Sequence, residues 1–261
     1  MKIMICGKGG CGKSTLTVLL AKALTNAGKR VLVVDADESN LCLHRLLGAK
    51  QPEIMMDAMG GRQGTREKLK QAKDQDHEDD FFKNIMSVDD LPPDCVEEAN
   101  GIKLLVVGKI KEFGEGCACM IGGISKAVLS RLHEAKDEIV LIDAEAGLEH
   151  FGRQIDRGCD MALCVIDPSY ESIQMAGRAR QIAEAAGVQT YFILNKVDDD
   201  VRQVMAESLD PKRIIGAIPR SDILFIQSLR GQPLSVEMTQ IDEACAFLMN
   251  YKKPLTLSMK L

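Results

Sequence analysis

The chain of 261 residues contains no tryptophan, and aromatic residues make up only 4% of it, so its core has to be built from aliphatic side chains and methionine. The 13 methionines fit that use as soft filler and do not by themselves imply copper. No apolar run is long enough to span a bilayer, which excludes a membrane-spanning helix. No long basic tract occurs and the formal net charge is −5, which argues against nonspecific nucleic-acid binding. No secretory signal is legible ahead of the first apolar run. Without one, the 9 cysteines argue against a disulfide scaffold and for a reducing, cytoplasmic setting. Cys6, Cys164 and Cys245 lie in apolar runs and read as buried small hydrophobes. Nothing resembles a linker, so a single domain over residues 1–261 is expected.

What is present is an alternation. KIMIC (2–6), RVLVVDAD (30–37), LLVVG (104–108), EIVLIDAE (138–145), MALCVID (161–167), TYFILNKV (190–197) and RIIGAIP (213–219) are apolar, β-branched runs. Helical patterns separate most of them, including 122–135, 170–186 and 199–208, and a last helix is expected over 235–250. Near-continuous apolar strands alternating with helices predict a three-layer α/β fold, with a mainly parallel seven-stranded sheet covered on both faces. Residues 60–100 break the rhythm and read as a charged surface excursion carrying a helix and a short edge strand. The DQDHEDD run around His77 could attract a cation, but such runs are usually solvated faces. The tail after Pro254 is a poor membrane anchor.

GKGGCGKST (7–15) matches G-x-x-x-x-G-K-[ST] between a strand and a helix, the context that gives this motif its meaning. Gly7, Gly9, Gly10, Cys11, Gly12 and Thr15 belong to a loop whose backbone N–H groups can wrap phosphate oxygens at a helix N-terminus. Lys13 is expected to reach the β/γ-phosphates and Ser14 to ligate Mg²⁺. Asp143 ends an apolar strand in LIDAEAG, which suits a role in holding Mg²⁺ through water; the alternative is a helix cap.

The general motif does not require Lys8. With it, KGGCGKST resembles the deviant phosphate loop shared by cell-division and plasmid-partition ATPases, the nitrogenase iron protein and several metallocentre assembly ATPases. The resemblance implies ATP hydrolysis to ADP and phosphate, and a nucleotide-promoted homodimer in which Lys8 reaches the partner's nucleotide. A cation supplied this way stabilises charge on the transferred phosphoryl group. The resemblance further implies that Asp37 orients the attacking water, that Asp35 helps organise Mg²⁺ and the nearby switch, and that Gly147 senses the γ-phosphate. It places Asn195, with Lys196 beside it, and Pro219 and Arg220 of IPRSD around an adenine base. NKVD also resembles the guanine motif N-K-x-D, so Asp198 leaves GTP as the competing reading; the extra lysine favours ATP.

KEFGEGCACMIGG (111–123) carries Cys117 and Cys119 one residue apart in a glycine-rich loop after a strand. Two thiolates cannot complete a four-ligand Zn²⁺ or Ni²⁺ site. Two copies of the loop meeting at a two-fold axis supply four, and Lys8 asks for the same kind of assembly. A disulfide between cysteines so close in sequence is strained. The run GKIKEFGEGCACMIGG resembles the loop of the nickel-insertion ATPases of carbon monoxide dehydrogenase and acetyl-CoA synthase. That resemblance implies Ni²⁺ or Zn²⁺ at a dimer interface and a nickel enzyme as client. The chain departs from the family pattern at Met120, where proline commonly follows the second cysteine. Three alternatives stay open: a positioning ATPase acting through a membrane or DNA surface, a passive metal carrier, and an iron–sulfur protein. The positioning reading asks for a basic patch or a C-terminal amphipathic helix, and neither is evident. The iron–sulfur reading lacks the cysteine expected shortly after Asp143.

Overall fold

The computed structural model describes residues 1–72, 81–83, 85, 87–109, 118–133, 135–144 and 158–253, with backbone only at 118 and 119. Its strands are β1 (Lys2–Gly7), β2 (Arg30–Ala36), β3 (Val96–Ala99), β4 (Ile102–Val106), β5 (Glu138–Ala144), β6 (Met161–Ile166), β7 (Gln189–Asn195) and β8 (Ile214–Ile218). They form one sheet in the order β3-β4-β2-β5-β1-β6-β7-β8. All neighbouring pairs are parallel except β3 and β4, which are antiparallel. The sheet therefore has eight strands where seven were expected. The added one is β3, with the sequence VEEA, which matches the short edge strand expected within 60–100 but is too short and too polar to count among the apolar runs. It sits at the sheet edge, where only one side needs a partner.

The described helices are α1 (Lys13–Asn26), α2 (Leu43–Leu47), α3 (Met55–Ala58), α4 (Gly61–Gln71), α5 (Ala118–Arg131), α6 (Tyr170–Ala185), α7 (Asp199–Glu207), α8 (Asp222–Leu229) and α9 (Thr239–Asn250). α1 lies against β2, β5, β1 and β4 with α2 and α9 beside it, while α5 and α6 lie against the other face. The strands feed both layers by simple alternation. Met4 and Cys6 of β1, and Leu32 and Val34 of β2, join one apolar cluster. Ile3 and Ile5, and Val31 and Val33, join the other. A strand buried on both faces needs an apolar residue at every position, which is why these runs show no period of two.

The segment 60–100 is more than a surface excursion. Phe82, Ile85, Val88, Leu91 and Cys95 are buried in the first cluster. Arg131 stacks over the Phe82 ring at 5.7 Å from its centroid. The charge density of the segment hid these isolated apolar anchors. Its DQDHEDD run, with His77, lies outside the described residues. Cys6, Cys164 and Cys245 are buried as expected.

Candidate nucleotide site

β1 ends at Gly7, and α1 begins at Lys13. Gly7 has φ +146°, and a Cβ there would lie 2.4 Å from the Val165 carbonyl oxygen. Gly12 has φ +102°, and a Cβ there would lie 2.3 Å from Nδ2 of Asn195. Both positions combine a left-handed backbone with a close approach, so only glycine fits. No side chain caps the N-terminus of α1 and no acidic residue occupies its first turn. Its unpaired N–H groups and dipole therefore face the loop, an arrangement suited to a phosphate.

A cleft of about 740 Å³ opens over this loop. It brings together Gly9, Gly10, Gly12, Lys13, Ser14, Thr15, Asp37, Asn195, Lys196, Pro219 and Arg220, drawn from four separated stretches of sequence. The ends of β1, β2, β7 and β8 all open on this one edge, as ligand sites do in open α/β sheets. The Lys13 ammonium lies 3.4 Å from the carbonyl oxygens of Gly7 and Lys8. Lys196 donates to the Gly10 carbonyl at 2.8 Å, and Arg220 is well exposed at the cleft margin. Asn195 donates to the Cys11 carbonyl at 2.7 Å and accepts the Lys196 N–H, so its amide pins the loop to the end of β7. Asp198 does not line the cleft. Its carboxylate caps α7, accepting the Val201 N–H at 2.9 Å. That supplies a structural use for the aspartate of NKVD.

Below the loop, Ser14 Oγ donates to Asp143 Oδ2 at 2.7 Å. Nδ2 of Asn40 donates to Ser14 Oγ at 2.9 Å and to Asp143 Oδ2 at 3.2 Å. Asp143 is fully buried, and burial pushes its carboxyl up to about 6, against the pull of the Ser14 hydrogen bond and the Lys13 charge. A serine hydroxyl against a carboxylate, next to a phosphate-binding loop, is a hard-oxygen set that fits Mg²⁺. Asp35 stands apart from the cleft. It is buried against Lys109, whose ammonium is 2.8 Å from its Oδ2. Burial pushes the Asp35 carboxyl up to about 7, with Lys109 opposing and Asp143 adding to the rise. Asp37 does reach the cleft, and its Oδ1 accepts both the N–H and the hydroxyl of Ser39, at 2.9 and 2.6 Å.

Lys8 is the lysine of the loop that does not line the cleft. It turns to the start of α6, where it donates to Ser169 Oγ at 3.4 Å and pairs with Glu171 at 3.2 Å. Gly147 and Cys117 lie outside the described residues, and Cys119 is described only as backbone in the first turn of α5. Among the described residues, no group of three or more His, Cys, Asp or Glu could hold a metal ion. Sequence reasoning passed over Asn40, Lys109 and Asp167, the first and last of which line the cleft. Asn40 was within reach, since it closes the same VVDADESN run as Asp37. Lys109 stands in the run read for its cysteines.

The family model described as the CobQ/CobB/MinD/ParA nucleotide binding domain matches residues 2–234. The chain belongs to this family. A carbon monoxide dehydrogenase accessory protein, CooC, of Rhodospirillum rubrum is 34% identical over 84% of this chain and 83% of its own length. An uncharacterized ATP-binding protein of Methanocaldococcus jannaschii is 43% identical over 95% of this chain and 99% of its own length. The septum site-determining protein MinD of Pyrococcus horikoshii, solved with Mg-ADP, superposes with a TM-score of 0.65 at 19% identity, over 95% of this chain and 96% of that one. At that identity the likeness concerns the fold. As a MinD/ParA-family protein, the chain has an ATP-binding phosphate-loop fold of the kind that hydrolyses ATP. Among the described residues, no helix is long and apolar enough to cross a membrane.

Proposed function

We propose that the chain is an ATP-hydrolysing switch of the MinD/ParA type, whose two copies close face to face on Mg-ATP, with Lys8 of each reaching the other's nucleotide. The observation that carries this reading is the placement of Lys8. Lys13 already lies over its own loop, while Lys8 points away and, among the described residues, is held by Ser169 and an exposed glutamate alone. Such exposed pairs contribute about 0–1 kcal/mol, so little opposes the release of Lys8 toward a partner. Within one copy, the backbone around Gly12 and the Lys13 ammonium bind the phosphates. Ser14 and Asp143 would hold Mg²⁺, which when bound would neutralise charge on the phosphates. Asp37 orients the attacking water, and Asn195, Lys196, Pro219 and Arg220 face the base. Asp198 serves as a helix cap, which supports adenine over guanine.

Sedimentation mass and phosphate release test this directly. Wild type is expected to double its mass with Mg-ATP and not with Mg-ADP. Lys8→Ala is expected to bind ATP yet dimerise weakly and hydrolyse slowly. Normal dimer formation and turnover in Lys8→Ala would sink the trans-lysine reading.

A finer reading is favoured by the 34% identity to a carbon monoxide dehydrogenase accessory protein. In it, Cys117 and Cys119 of two copies bind one Ni²⁺ or Zn²⁺, and nucleotide state governs delivery to a nickel enzyme. The expected result is one metal ion per dimer, lost in Cys117→Ala or Cys119→Ala while ATP binding persists. One ion per isolated monomer would refute the shared site.

A further inference from the structure

Lys109 is a buried cation that lies outside the cleft, so the site as built gives it no task. Its surroundings form a closed ring. Its ammonium pairs with Asp35 Oδ2 at 2.8 Å and donates to the Asp37 carbonyl oxygen at 2.5 Å. The Asp37 N–H in turn donates to Asp35 Oδ1 at 3.3 Å. The ion pair thus grips the Asp37 residue by both its N–H and its C=O. The strand pairing of β2 has stopped at Ala36, so no ladder hydrogen bond fixes Asp37. With Ser39 on Oδ1 and the Asn40 N–H on the same carbonyl as Lys109 at 3.3 Å, the residue is held at its N–H, its C=O and one carboxylate oxygen, and among the described residues Oδ2 takes no hydrogen bond.

The other end of this contact is equally constrained. Val107 N–H donates to the Asp35 carbonyl at 3.0 Å, and the Val107 carbonyl accepts the Met56 N–H at 3.0 Å. A Cβ on Gly108 would lie 2.7 Å from Cγ1 of Ile121, so the chain just before Lys109 is packed against the second turn of α5. Packed contacts of this kind move together. A salt bridge kept only for stability would be an odd choice here. Two well-packed apolar side chains are often as stable as a buried ion pair.

We propose that Lys109 is a positioning residue for hydrolysis, which holds Asp37 at the cleft through the Asp35 ion pair and ties its position to the start of α5. This rests on the ATPase reading above. Lys109 touches no nucleotide; it acts on where Asp37 stands, and a misplacement of about 1 Å of a water-orienting group can cost on the order of 100-fold in rate.

The test separates binding from chemistry. Lys109→Met is expected to bind one Mg-ATP per protomer with an affinity within about threefold of wild type, because the cleft is untouched. Its single-turnover hydrolysis, counted per bound ATP, is expected to fall at least about tenfold, with part of the loss recovered in Lys109→Arg. Loss of folded protein alone would lower the binding stoichiometry and leave the rate per bound ATP unchanged. Removing Lys109 alone strands a buried carboxylate, so Asp35→Asn and Asp35→Asn/Lys109→Met are compared as well. The double variant is expected to be at least about fivefold slower per bound ATP than Asp35→Asn, since only the grip on the Asp37 carbonyl differs. Equal rates in that pair, or wild-type hydrolysis per bound ATP in Lys109→Met, would overturn the proposal. A wild type that binds ATP and never hydrolyses it would instead sink the ATPase reading.

Discussion

Gly12→Ala isolates the physical basis of the loop. At φ +102° an alanine pays the left-handed penalty, about 1–2 kcal/mol. Its methyl would also stand 2.3 Å from Nδ2 of Asn195, so the amide has to move. Moving it breaks the 2.7 Å bond to the Cys11 carbonyl in a buried setting. An unsatisfied buried group there costs about 1–3 kcal/mol. The two contributions sum to about 2–5 kcal/mol. For a chain of this size each kcal/mol moves the melting midpoint by roughly 2–4 °C, so a drop of at least about 4 °C is expected without nucleotide. Thermal unfolding followed by circular dichroism reads this, and titration with Mg-ATP should show a loss of binding alongside. Asn195→Ala separates the causes. It removes the obstacle but leaves the strained backbone, so the double variant should be more stable than the sum of the single effects by about 1–3 kcal/mol. A Gly12→Ala midpoint within about 1 °C of wild type would refute the steric argument. Strict additivity of the two substitutions would refute the role given to Asn195.

Other outcomes follow from the lower half of the site. Ser14→Ala should leave the Asp143 carboxylate without its closest donor and weaken Mg²⁺-dependent ATP binding at least tenfold on the order-of-magnitude scale of one lost charged hydrogen bond, read by equilibrium titration with and without Mg²⁺. Burial raises Asp35 to about 7 and Asp143 to about 6, so the folded chain binds protons more tightly than the unfolded one. The metal-free protein should therefore be most stable below about pH 4 as far as these two groups decide, and lose stability as pH rises from about 4 to about 7, which urea unfolding across that range checks. Direct competition between ATP and GTP should leave ATP bound, given that Asp198 is committed to capping α7; preferential GTP binding would overturn that argument.

Much of this was legible in the chain, for identifiable reasons. The phosphate loop could be read because the motif lies between an apolar run and a helical pattern, and those runs are apolar at every position because both faces of the sheet are covered. Eleven of the expected nucleotide-site residues line one cleft for the same reason: parallel strands leave their C-terminal ends on one edge. β3 was legible only as a short edge strand somewhere in 60–100, because an edge strand of four residues needs no apolar run that would fix its place. Phe82 and Ile85 escaped because single buried residues inside a charged stretch carry no period. Lys109 escaped for a different reason. A lysine reads as surface, and only the three-dimensional meeting of the ends of β2 and β4 shows it buried between Asp35 and Asp37.

The most direct test of the two-copy switch is to mix Lys8→Ala with Lys13→Ala. Neither variant should hydrolyse ATP well alone. If Lys8 serves the partner's nucleotide, the Lys8→Ala copy keeps its own loop lysine and receives Lys8 from the Lys13→Ala copy. An equal mixture should then recover up to about a quarter of the wild-type rate, since half the dimers are mixed and each has one complete site. Hydrolysis no greater than the sum of the two variants measured separately would contradict the trans arrangement.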